Sequence, residues 1–376
     1  MTGSVIPQTW NSLSLGELTA ETRPICYGVL KPGDFRDDGV PLIRVTDISE
    51  NWFDASRMIR ISRTLDEEFR RSRLRGGEIL ISIQGTIGRV AMVPPEYAGA
   101  NISRTIAVIE PDRRADPRFV YWYLRFLGEG AAFHTVGSTR SSLNIEALRR
   151  VQIPLPDLPQ QRRIAEVLDR AEALRTKRRG ALAQLDTLSL SIFLNMFGDP
   201  KSNPLGWPAR DFESTMRDET SRSEKLQKSQ FLPHGLYPVI DQGQSEIAGY
   251  CDDRRYLCQS ELPVVVFGDH TRAVKLVGEP FVVGADGAKV LAPQPDVNAV
   301  FLSWMIRLSP IPDLGYSRHM REVKRLRFPT PPLAAQLAFA RQVEVVESLR
   351  RPLRASQNQL AALLVSLQHR AFRGEL

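Results

Sequence analysis

The chain has 376 residues, 42% apolar and 25% charged, a balance that fits a folded globular protein and excludes disordered and collagen-like classes. That length suits two domains with connecting elements better than a single core. Against 43 Asp and Glu stand 50 Lys and Arg, and the resulting charge of +7 is compatible with an anionic partner without specifying one.

From the N-terminus, a first mixed module runs roughly from Trp10 to Arg150. Its apolar runs Pro41–Val45, Glu78–Ile83, Arg89–Val93 and Thr105–Ile109 predict strands, and Pro117–Leu127 predicts a helix. Prolines in Ile153-Pro154-Leu155-Pro156 then stop the module and open a long helix. If Gln160–Phe197 is one helix, it is roughly 57 Å long at 1.5 Å per residue. Leu174, Arg178, Ala181, Leu185, Leu188, Ile192 and Asn195 step by four and three along it, which is heptad spacing.

A second module, roughly Trp207 to Arg327, echoes that order. Tyr237–Ile240, Leu262–Phe267, Ala273–Val277 and Ala288–Leu291 predict strands, and Asn298–Arg307 a helix. Phe328-Pro329-Thr330-Pro331 then opens a second long helix carrying Val343, Val346, Leu353, Leu360, Leu363 and Leu367. Pro352 in its middle should kink or interrupt it.

The two halves are one pattern written twice. Ile153 aligns with Phe328 at an offset of 175 residues (328 − 153), and the same offset pairs Leu148 with Val323, Gln161 with Gln336, Leu185 with Leu360 and Phe197 with Phe372. The expected fold class is α+β: two similar mixed α/β recognition modules separated by two long antiparallel helices that form a coiled-coil-like spacer. The expected segments are 1–152, 153–200, 201–327 and 328–376.

Cys26, Cys251 and Cys258 form no CxxC, and no HExxH is present, so neither a disulfide framework nor a metal site is expected. A reducing cytoplasm fits that usage, and no apolar run of about 18 residues calls for a membrane.

Gly76-Gly77-Glu78-Ile79-Leu80-Ile81-Ser82-Ile83-Gln84-Gly85-Thr86-Ile87-Gly88, Gly137-Ser138-Thr139-Arg140 to Asn144, and Ile153-Pro154-Leu155-Pro156 to Gln161-Arg162-Arg163-Ile164 carry a resemblance, completed by Gly315-Tyr316-Ser317-Arg318-His319. In that order and duplicated, they resemble the DNA sequence specificity subunits of type I restriction-modification systems over essentially the whole chain. The resemblance implies reading of a bipartite, asymmetric site in double-stranded DNA, one half per module. It also implies docking of methyltransferase subunits and of a motor-nuclease subunit, with S-adenosylmethionine, ATP and Mg on those partners and no cofactor in this chain. The second half departs from the pattern at Leu333-Ala334-Ala335-Gln336 and at Pro352.

Base edges are read by side chains with paired donors and acceptors. In the first module the candidates are Gln84, Gly85, Thr86 and Arg89 in a glycine loop after a strand, then Asn101 and Arg104, then Ser138, Thr139 and Arg140. In the second they are Gln242 and Gln244, then Asp269, His270 and Arg272 after Gly268, then Arg318 and His319. Gly268 takes the place of Gly85 in this alignment. A stand-alone DNA methyltransferase would need an Asn/Asp-Pro-Pro-aromatic motif, and Asn203-Pro204-Leu205 and Asp116-Pro117-Arg118 lack the second proline. No GxxxxGK[ST] loop marks an ATP-driven motor either. A coiled-coil scaffold that reads no DNA is the remaining alternative, and the dissimilar polar loops argue against it.

Overall fold

The structure is a computed structural model that describes residues 7, 10–19, 22–34, 37–49, 52–53, 58–129, 143–285, 287–315 and 317–376. The chain divides into two compact units, Met1–Arg178 with Ser356–Leu376, and Arg179–Ala355. Each unit therefore holds one module and part of each long helix, Leu158–Phe197 and Leu333–Ala371.

In the first unit, an antiparallel sheet takes the order Cys26–Tyr27, Ile106–Ile109, Ile79–Ser82, Val90–Met92. Its central strand is apolar at consecutive positions because both faces are covered. Ile79, Ile81 and Ile83 enter a core with Phe119, Trp122 and Leu148, while Leu80 packs on the opposite side with Ile43, Ile48 and Ile102. That opposite side is supplied in part by a smaller sheet, Ile59–Ile61, Val40–Ile43, Asn101–Ile102, in which Leu42 pairs with Asn101 in parallel. A ribbon of Asn11–Ser14 and Gln152–Leu155 closes the module where the long helix begins.

The second unit repeats the plan. Its antiparallel sheet runs Met216–Asp218, Ala288–Pro293, Val264–Gly268, Val274–Val277. Val265 and Phe267 face the helices, and Val264 and Val266 a second four-stranded sheet, Lys225–Leu226, Val282–Gly284, Tyr237–Ile240, Gly249–Cys251, in which Val239 pairs with Val282 in parallel. Ala209–Arg210 with Phe328–Pro329 forms the closing ribbon.

Within the second unit the two long helices run antiparallel. Phe197 and Phe193 pack on Phe339 with ring centroids 5.5 and 5.4 Å apart, and further along Asp186 pairs with Arg350 at 2.9 Å. The seam differs from the expected one. Leu174, Leu188 and Leu363 are about half exposed, and Asn195 is exposed, whereas Ser189, Phe193 and Leu364 are buried. The leucine spacing is therefore displaced by about one residue at these positions: Ser189, Phe193 and Leu364 are buried where Leu188, Ile192 and Leu363 were expected, while Val343 and Val346 are buried as expected. Of the two outcomes expected at Pro352, a kink or an interruption, the interruption does not occur, since the second helix is continuous through it. Pro352 and Ser348, whose carbonyl loses its partner, are both exposed, so water satisfies the freed acceptor.

The paired glutamines explain how each module joins its helix. Gln161 Nε2 donates to the Pro156 carbonyl at 2.8 Å, and its Oε1 accepts from the Asp116 N–H at 2.8 Å. Gln336 does the same with Pro331 and Asn298, again at 2.8 and 2.8 Å. Asp116 and Asn298 in turn cap the helices Pro117–Glu129 and Ala299–Leu308. Both amides are buried, so Gln161→Leu orphans a backbone donor and acceptor and should cost about 2–4 kcal/mol. Urea unfolding of the variant measures this; a loss below about 0.5 kcal/mol, the range of ordinary surface changes, would show that the amide is dispensable.

Candidate functional site

In each module the candidate loops meet at one end of the central strand. In the first, the Ile83 N–H donates to the Thr105 carbonyl and the Leu143 N–H to the Ile83 carbonyl, both at 2.8 Å. These bonds gather the loop after Ser82, the Ser103–Thr105 turn and the segment that opens at Leu143. Ser82 Oγ ties the loop from within, donating to the Thr86 carbonyl and accepting from the Arg89 N–H at 2.8 Å. Gly85 has φ +77° and open space where a Cβ would stand, so a ligand backbone can approach it closely. Gly85 and Thr86 are exposed, Gln84 half-buried and Arg104 exposed. Ser138, Thr139 and Arg140 lie outside the described residues.

The second module uses the same fastening. The Asp269 N–H donates to the Gly287 carbonyl at 2.7 Å, and the His319 N–H to the Asp269 carbonyl at 2.8 Å. By these bonds Asp269 corresponds to Ile83, and Gly268 to Ser82. The alignment of Gly268 with Gly85 is thus corrected by three residues (85 − 82). The chemistry at that position also differs: a Cβ on Gly268 would lie 2.2 Å from Thr271 Oγ1 and 2.7 Å from the Gln242 carbonyl, so absence of a side chain lets two loops close on each other. Thr271 Oγ1 donates to that carbonyl, and Gln242 Oε1 accepts from the His270 N–H at 3.2 Å.

Three expected base contacts are structural instead. Asn101 is fully buried; its Nδ2 donates to Asp66 at 2.9 Å and its Oδ1 accepts from Ser72 Oγ at 2.7 Å. Asp269 is buried and accepts from the Met320 N–H at 2.7 Å. His319 is buried with both ring nitrogens engaged, Nδ1 donating to the Asp269 carbonyl at 2.8 Å and Nε2 accepting from the Leu314 N–H at 3.3 Å. None of the three side chains presents a free edge to solvent. They hold the candidate loops in place.

Two arginines are partly committed. Arg89 donates to the Ile48 carbonyl at 2.8 Å, anchoring the glycine loop to the short strand Ile48–Ser49. Arg272, at φ +58°, pairs with Asp313 at 2.7 Å. The Gly315 N–H and then Arg272 hold the Asp313 carboxyl below its usual range. His270 is half-buried, while Gln244 and Arg318 are exposed, and Gln244 Nε2 reaches the Thr271 carbonyl only at 3.4 Å. Arg318 has no ion-pair partner among the described residues.

Beside the first module's loops lies a depression of about 350 Å3 that sequence reasoning missed, lined by Tyr27, Arg70, Arg71, Arg75 and Arg149 over a floor of Arg23. The signal was present in the run Arg70-Arg71-Ser72-Arg73-Leu74-Arg75. Among the described residues no helix is long and apolar enough to cross a membrane, and no His, Cys, Asp and Glu cluster could hold a metal ion.

Residues 7–185 match the family model for the type I restriction modification DNA specificity domain. The type I restriction enzyme EcoBI specificity subunit of Escherichia coli is 32% identical over 51% of this chain and 42% of its own length. This chain thus spans about two fifths of that relative. A homologue from Methanocaldococcus jannaschii, named for a type I restriction enzyme MjaX specificity subunit, is 22% identical over 94% of this chain and 91% of its own length. The crystal structure of a type I restriction-modification system S subunit from M. genitalium superimposes with a TM-score of 0.63 at 12% identity, covering 99% of this chain and 97% of that one. At that identity the likeness concerns the fold, and it extends over both modules and both long helices.

Proposed function

We propose, because residues 7–185 match the type I restriction modification DNA specificity domain and specificity subunits are similar to this chain, that it is the non-catalytic subunit that selects the target of such a complex. It reads double-stranded DNA at a bipartite, asymmetric site, one half-site per module. Methyltransferase subunits and a motor-nuclease subunit join it in the cytoplasm and bring S-adenosylmethionine, ATP and Mg with them.

One observation carries this reading: the same loop platform is built twice, by Leu143 on Ile83 and by His319 on Asp269, and displays different side chains each time. Gln84, Gly85, Thr86 and Arg104 are presented by the first; Gln242, Gln244, His270, Arg272 and Arg318 by the second. Identical platforms with unlike side chains suit two unlike half-sites. Ser138, Thr139 and Arg140, which precede Leu143 in the sequence, remain candidates for the first half-site.

Co-expression with the methyltransferase subunits of its own system, followed by mapping of methylated genomic sites, tests the proposal. Two short motifs at fixed spacing are expected; one unbroken motif, or no methylation tied to this chain, would sink it. Within that assay, Gln244→Ala with Arg318→Ala should relax the second half-site by about 10- to 100-fold per lost base contact and leave the first unchanged. A shift in the first half-site would show that the modules do not read independently.

A further inference from the structure

The arginine-lined depression of the first unit is a second binding feature, distinct from the reading loops. Arg23 forms its floor, buried, and is neutralised from within: it pairs with Glu78 at 2.8 Å and with Glu110. Arg73 is likewise committed to Asp66 and Glu67. The rim cations are not. Arg71 is exposed with no carboxylate partner among the described residues. Arg70 and Arg75 are 77% and 69% exposed and have carboxylates no closer than 3.7 and 3.8 Å. Arg149 is the exception, paired at 2.8 Å with the exposed Glu146, which also lines the depression.

These guanidiniums converge on one space. All of them line the same depression, and beside it burial raises the Cys26 thiol against the opposing pull of Arg71, Arg23 and Arg149. Tyr27 is 41% exposed beside them. Planar arginine forks with an aromatic neighbour, and no lysine in the lining, suit an oxyanion that accepts paired hydrogen bonds, such as phosphate.

The depression also adjoins the reading platform along two stretches of chain. Tyr27 lies two residues before Val29, whose carbonyl accepts from the Arg104 N–H at 2.9 Å. Ile145, also in the lining, lies two residues after Leu143, which is bonded to the glycine loop. A duplex whose base edges meet that loop carries its phosphates past its flank.

We propose that the depression seats a backbone phosphodiester of the DNA strand next to the first half-site, with Arg70, Arg71 and Arg75 as its cationic rim. This rests on the DNA-reading function proposed above. The seat fixes the register of the first module on the duplex and contributes affinity without contributing sequence preference.

The test uses the assembled complex with its methyltransferase subunits and duplexes carrying its mapped site, in which single phosphodiesters are replaced by neutral methylphosphonates. At one or two linkages beside the first half-site, wild-type binding should weaken about five- to tenfold. Arg71→Gln with Arg75→Gln should weaken binding to the unmodified duplex by a similar factor. The variant should be indifferent to those same neutral linkages, and its log–log salt dependence should flatten by about one to two. Both residues are exposed, so the unfolding midpoint should not move.

Several results would overturn the seat. An identical linkage profile in variant and wild type would do so, as would a changed base preference at the first half-site. Failure of the variant to assemble would mean that the rim holds a protein carboxylate. Competition by millimolar inorganic phosphate at constant ionic strength, with the linkage profile unaffected by the substitutions, would mean a small-anion site. Discrimination between the mapped site and a scrambled duplex is measured in parallel. Its absence in the wild type would remove the DNA-reading function itself, whereas discrimination retained with an unchanged profile would remove only the seat.

Discussion

Phe339→Ala should destabilise the second unit by about 3–5 kcal/mol, among the larger single effects available in this chain. Phe339 is fully buried and touches Phe193, Phe197 and Trp304, with ring centroids 5.4, 5.5 and 6.2 Å away. It stands where the second long helix crosses the end of the first, against the helix Ala299–Leu308. Truncation removes edge-to-face contacts and leaves a cavity that three large rings cannot collapse to fill. Trp304 is 9% exposed and sits in that cluster, so its fluorescence during urea unfolding reports the loss. A cost under about 1 kcal/mol, the size of a tolerated volume-conserving swap, would mean that the helices are held by their other contacts.

Arg23→Met should cost the first unit about 3–5 kcal/mol, because it strips a buried carboxylate of its cation. Arg23 is 6% exposed and Glu78 2%. The arginine also donates to the Arg73 carbonyl at 2.7 Å, so it joins the start of the module to the turn before the central strand. Glu78 keeps only the N–H donors of Arg75 and Gly76 once Arg23 is gone. The second arm is the double variant Arg23→Met, Glu78→Gln, in which the stranded charge is absent. Its cost should fall well below the sum of the two single costs, and strictly additive costs would contradict charge pairing as the cause. Arg23 is also the floor of the phosphate seat, which is why Arg71 and Arg75, and not Arg23, are the residues to test there.

Much of this architecture is legible in the sequence, for identifiable reasons. Ile79–Ile83 and Val264–Phe267 read as strands because a strand covered on both faces is apolar at every position. Gln161 and Gln336 stand out because a repeat keeps a buried polar residue in register when its backbone partners recur. Short strands such as Cys26–Tyr27 and Asn101–Ile102 are not legible: two residues are too few to show a period, and they are held by backbone pairing. The helix seam misled because leucine spacing marks apolar residues, whereas the contact itself is filled by Phe193, Ser189 and Leu364.

The site was legible as loops more than as residues. Asn101, Asp269 and His319 read as recognition side chains because short polar residues after a strand look alike whether they turn outward or fold back on backbone groups. Burial decides between those outcomes, and a single sequence does not encode burial at an isolated polar position. The arginine rim went unassigned for the opposite reason: a basic run reads as a solvated face until the fold bends it around a hollow.

The glutamine latch has a consequence for how target preference could change over generations. From each recognition head it takes hold of main-chain atoms only: the N–H of Asp116 and the carbonyl of Arg114 in one, the N–H of Asn298 and the carbonyl of Asp296 in the other. Such a joint is blind to side-chain identity in the part it grips, much as a standard socket is blind to the appliance. The latch itself would accept a foreign head with the same backbone turn, while the side-chain contacts beside it, Asp169 on Trp122 in one and Phe339 on Trp304 in the other, would still have to match. New pairings of modules could then arise by recombination wherever those side-chain contacts are kept.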